Sequence, residues 1–160
     1  MAFPVTTPGS ARPSPVGTGD RGESWAAGHS GGAFRLPARP RSVAEARTRV
    51  RGTLTRWGMP ADAVDDATLV VSELVTNALV HTGTETIGCA LRRGGGRLYI
   101  EVSGLRSGPT IPRPRAAGPD EENGRGLALI EALCLAGGVA DTTDGRGRAV
   151  WAALATGPRT

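Results

Sequence analysis

The chain contains no lysine and no glutamine, so all 19 basic residues are arginine. Without lysine, neither a Walker-type phosphate loop nor a Schiff-base amine can operate here. The arginine bias looks like GC-rich bacterial coding, so the sequence pI of about 10.3 is in part a codon effect. A net charge of only +4 and no dense basic run give nucleic-acid binding no support. Aromatic residues are scarce, at 4%. The two cysteines, Cys89 and Cys134, share no metal-ligand spacing, which gives a structural zinc site no support. Both cysteines sit in apolar patterns and read as small buried hydrophobes. No apolar run reaches the length of a membrane span, and the N-terminus lacks a basic start followed by an apolar stretch. These absences predict a soluble protein of the reducing cytoplasm with no membrane partner.

The 160 residues suit one domain with an ordinary hydrophobic fraction of 39%. Residues 1–32 are rich in Pro, Gly, Ser and Thr and read as a disordered arm. A domain is expected over 33–156, with 157–160 as a tail. Ala33–Pro37 suits a short edge strand that proline ends. Ser42 with Glu45 three residues later forms a capping-box pattern, opening a helix that turns Val43, Ala46, Val50, Leu54 and Trp57 inward. Gly58 and Pro60 stop it, and Asp62 or Asp65 starts a second, longer helix.

That second helix carries the most informative segment. Ala67, Val70, Val71, Leu74, Val75 and Ala78 form one apolar stripe. Glu73, Asn77 and His81 follow at steps of four, so they form a shallow line at the stripe's edge. Alone, such a row reads as a solvent-side edge with a tolerated amide. A polar row half in the core is also where a ligand can be held against a protein layer.

The period then changes from helical to alternating. Ile87, Cys89 and Leu91 alternate, as do Leu98, Ile100 and Val102, with Gly94–Gly96 between them, which predicts a hairpin. From Gly104 to Asn123 the chain is polar and rich in Pro and Gly, which suits a lid or binding loop. Gly124-Arg125-Gly126-Leu127 leads into a helix through Leu127, Ile130, Leu133 and Cys134. Strands Val139–Thr143 and Arg148–Leu154 close the domain across Asp144-Gly145. The order predicts an α+β fold, a two-layer sandwich with a mixed, largely antiparallel sheet and helices on one face.

The ordered set of Arg47, Trp57-Gly58, Ser72–Ala78 with His81, Ile100–Val102, Gly124–Leu127 and Val150-Trp151 resembles the bacterial ATP-binding anti-sigma-factor serine/threonine kinases. These belong to the Bergerat-fold, histidine-kinase-like ATPases. The resemblance implies a sandwich of Bergerat type that binds ATP and Mg²⁺, sequesters a sigma factor and phosphorylates an antagonist protein. Homodimerisation is compatible with it. Asn77 is implied as an oxygen ligand to Mg²⁺, and Glu73 as the group that orients or deprotonates the acceptor hydroxyl. Gly124 and Gly126 are implied to let the backbone approach the phosphates, with Arg125 as a charged contact and Leu127 opening the helix. His81 is implied to cap or line the helix end. A histidine-kinase catalytic fragment is disfavoured, because no dimerisation helix or phospho-acceptor segment precedes the domain.

Two positions depart from the family pattern. Gly104 stands where the family has an adenine-reading aspartate, and Ala149 where a supporting threonine is expected. Asp120, Glu121 and Glu122 are candidates to compensate. The alternative function is therefore a non-enzymatic anti-sigma-like binding protein with a degenerate nucleotide site.

Overall fold

A computed structural model describes residues 30–80, 83–105, 130–141 and 147–157. Helix α1 (Arg41–Arg56) buries Ala46, Val50 and Leu54, one residue per turn. Its N-terminus departs from the capping-box expectation: Pro40 holds the cap position and no side chain caps the helix. Ser42 lies inside the first turn and is buried, and its hydroxyl donates to the Pro37 carbonyl. That bond ties the helix to the preceding strand. Glu45 pairs instead with Arg49 at 2.8 Å. The C-terminus is a Schellman motif, with Gly58 N–H bonded to Thr55 O, Met59 N–H to Leu54 O, and Gly58 at φ 69°.

Helix α2 (Ala61–Val80) begins directly after Pro60, ahead of both expected start residues. The Pro60 carbonyl accepts from Val64 N–H, and Asp62 places a negative charge in the first turn, where the helix dipole favours it. Its buried face includes Val64, Ala67, Val70, Val71, Leu74, Val75 and Ala78. An exposed ion pair of 3.0 Å, Arg51 to Asp65, links α1 to α2.

The strands are β1 (Ser30–Pro37), β2 (Thr86–Gly94), β3 (Arg97–Leu105), β4 (Ala136–Asp141) and β5 (Gly147–Ala155). They form one sheet in the order β1-β2-β3-β5-β4. Each of the four described pairings is antiparallel, in keeping with the largely antiparallel sheet expected. The β2–β3 turn is Gly95-Gly96, with φ of 58° and 72°; both signs are positive, as a tight hairpin that follows the sheet twist requires. Strands β1 and β4 each start three residues before their expected boundaries.

Partners across a ladder share a face. Leu98, Ile100 and Val102 of β3 therefore lie with Leu154, Ala152 and Val150 of β5 and with Leu91 and Cys89 of β2. This face and the buried faces of α1, α2 and Ile130 make one continuous core. Trp151 lies on the opposite face, paired with Gly138, where a Cβ would come within 2.9 Å of the indole nitrogen. The result is an α+β two-layer sandwich with the helices on one side of the sheet.

Candidate functional site

Helix α2 has two flanks, and they differ. One turns toward α1, to which Asp65 ties it. The other carries Asp66, Glu73 and Asn77, which helical geometry keeps within about 40° of one line. Ser72 and Thr76 spend their hydroxyls on carbonyls one turn back, at 2.9 and 2.8 Å. Glu73 and Asn77 are half-buried, and among the described residues neither side chain has a hydrogen-bond or ion-pair partner. Their Cβ atoms stand one turn apart, about 5–6 Å. A carboxylate and an amide are thus presented side by side on the flank away from α1.

This flank faces the point where the chain leaves and re-enters the described fold. It leaves at Leu105, the end of β3, and re-enters at Ile130, in a helical turn over residues 130–133. Asp66 lies close enough to Cys134 to act on its thiol. Burial first, and the Asp66 carboxylate second, push that thiol up to about 12. Cys89, buried in the core, is also pushed up to about 12 by burial, with Arg49 opposing. Neither thiol is poised as a nucleophile or metal ligand at neutral pH. The expectation of a buried small hydrophobe holds for Cys89, whereas Cys134 is only partly buried against the core.

The end of β3 closes the site from below. Gly104 lies on the helix-facing side, and a Cβ there would sit 3.8 Å from the backbone oxygen of Ala78, the residue after Asn77. The position expected to read a base and the position expected to hold a metal are thus in adjoining layers. The proposed supporting role of Ala149 does not survive the register. Ala149 pairs with Ser103, on the sheet face away from the helices, whereas Arg148 pairs with Gly104. A side chain at 149 points away from one at 104, so position 148 is the neighbour able to support it.

The site also includes Thr84, which sequence reasoning passed over because the link between α2 and β2 has no periodic signal. Its hydroxyl oxygen lies 3.1 Å from where a Cβ on Gly104 would be. The signal available in the sequence was Gly104 itself, since a missing side chain leaves room for a neighbour. His81, Gly124, Arg125, Gly126 and Leu127 lie outside the described residues, as do residues 1–29 and the candidate compensators Asp120, Glu121 and Glu122.

Among the described residues, no group of three or more His, Cys, Asp or Glu is placed to hold a metal. The donor chemistry instead fits a hard cation taking one amide oxygen, from Asn77, with its other ligands from phosphate and water. Among the described residues, no helix is long and apolar enough to cross a membrane.

The chain is 30% identical over 118 residues to the serine-protein kinase RsbW of Oceanobacillus iheyensis, covering 62% of this chain and 72% of that relative. Residues 36–153 match the model of the histidine kinase-like ATPase domain. With that match spanning both helices and strands β2, β3, β4 and most of β5, the chain belongs to the histidine kinase-like ATPase domain family.

Proposed function

We propose that this protein binds ATP with Mg²⁺ along the outer flank of α2 and transfers the γ-phosphoryl group to a serine or threonine of an antagonist protein, while also sequestering a sigma factor. The observation that carries this reading is the pair Glu73 and Asn77, half-buried and without described partners on the flank that ends at Gly104. Similarity to a serine-protein kinase supports the choice of acceptor.

In this reading Asn77 offers its amide oxygen to Mg²⁺, which when bound neutralises phosphate charge. Glu73 accepts the acceptor hydroxyl's proton and orients that oxygen. The oxygen bonds to the γ-phosphorus as the bond to ADP breaks, and ADP leaves with its electron pair. Positioning and electrostatics carry most of such a transfer, so a carboxylate on a rigid helix suffices. The resemblance assigns Gly124 and Gly126 to phosphate approach, Arg125 to a charged contact, and Leu127 and His81 to the same site.

The second reading is a non-enzymatic binding protein, favoured by the bare Gly104 at the base-reading position. Incubation with γ-labelled ATP, Mg²⁺ and a candidate antagonist protein separates the two. Label on a serine or threonine supports the kinase. Stable sigma-factor binding without transfer supports the second reading.

A further inference from the structure

At the foot of the site, Thr84 stands where a side chain on residue 104 would begin. A Cβ built on Gly104 would lie 3.1 Å from the Thr84 Oγ1 and 3.3 Å from its Cγ2. The threonine is held there by its neighbours. Gly83 turns the chain at φ 86°. Glu85 N–H then donates to Leu105 O at 2.8 Å, and the Glu85 carbonyl accepts from Ala38 N–H at 2.9 Å. Thr84 is half-buried, and its hydroxyl has no hydrogen-bond partner among the described residues. A hydroxyl beside a strand end, on a backbone clamped from two sides, is a preorganised polar contact.

We propose that Thr84 reads the purine base, taking the place left by the missing side chain at 104. The inference rests on the reading that a nucleotide lies along the α2 flank. A threonine hydroxyl both donates and accepts, and its hydrogen rotates to suit its partner. It accepts from the amino group at position 6 of adenine, and it donates to the carbonyl at position 6 of guanine. A fixed carboxylate would instead reject guanine by repulsion. The site therefore takes purine triphosphates with little discrimination between ATP and GTP.

Calorimetric titration with Mg·ATP and Mg·GTP tests this on the full chain and on the Thr84→Val, Thr84→Ala and Thr84→Ser variants. Valine keeps the shape and removes the hydroxyl. The wild-type protein is expected to bind both nucleotides within about tenfold of each other. Thr84→Val and Thr84→Ala should weaken both by about tenfold, the usual effect of one lost neutral hydrogen bond, and Thr84→Ser should restore binding. Alanine keeps the test valid if valine misfolds, as a thermal melt would reveal. Wild-type selectivity for ATP above about a hundredfold would overturn the inference. So would nucleotide binding that survives loss of the hydroxyl unchanged; that outcome leaves the ATP-binding reading standing. A wild-type chain that binds neither nucleotide overturns both.

Discussion

Replacing Gly104 with aspartate adds a side chain at one defined point, and its effects can be worked out from the neighbours. The new Cβ would meet Thr84 at 3.1 and 3.3 Å, so that residue must shift by a few tenths of an ångström. A few tenths of an ångström at a half-buried side chain in a connecting segment cost about 1 kcal/mol, near the lower limit for overpacking. Gly104 is absent from the positive-φ positions, so no backbone strain is added. Against this stands one charge-assisted hydrogen bond to the adenine amino group, about 1.5–3 kcal/mol, or roughly tenfold to a hundredfold in Kd. Because the carboxylate takes over the contact assigned to Thr84, Gly104→Asp should lower the melting temperature by a few degrees, tighten Mg·ATP by less than the full charge-assisted gain and weaken Mg·GTP, so that the preference for ATP over GTP rises about tenfold. Gly104→Ala is the control, with the steric cost and no gain. Because Arg148 opposes position 104, adding Arg148→Thr should strengthen the effect, whereas Ala149→Thr, on the other face, should not. A folded Gly104→Asp protein that binds both nucleotides as before would refute the placement of the base.

Glu73→Ala should abolish phosphoryl transfer while leaving nucleotide affinity and melting temperature nearly unchanged, because the carboxylate has no described partner to lose; a labelled-phosphate assay with a thermal melt checks both. Gly138→Ala forces a Cβ to within 2.9 Å of Trp151 Nε1, so it should destabilise the fold by about 1–3 kcal/mol in urea melts without touching the nucleotide site. Cys89, its thiol raised to about 12 by burial, should stay protonated and resist alkylation in the native state from pH 7 to 9. Mass spectrometry after brief iodoacetamide treatment checks this, since rapid native modification would mean an open core.

The helix carrying Glu73 and Asn77 was legible because a continuous apolar stripe and a four-residue polar step coincide on it. The β2–β3 hairpin was legible because two alternating runs flank three glycines. What stayed hidden depended on contacts distant in sequence. Ser42 looks like a cap locally, yet its hydroxyl belongs to Pro37, so α1 starts without a side-chain cap. The strand expected from Val139 begins at Ala136 instead, because Gly138 lies in β4 opposite Trp151, whose indole fills the space a side chain would take. The partner of Gly104 was misassigned by one residue, because motif spacing does not specify register. In a strand, an offset of one turns a side chain to the opposite face. Thr84 became visible only when the sheet brought it beside Gly104.

The central claim, that Mg·ATP is held on the outer flank of α2 by Asn77, is tested most directly by calorimetry. The wild-type protein and Asn77→Ala are titrated with ATP in the presence and absence of Mg²⁺. The account predicts that wild-type binding strengthens with Mg²⁺ and that Asn77→Ala loses that gain while metal-free ATP binding changes little. Equal losses with and without the metal, or no loss at all, would contradict it.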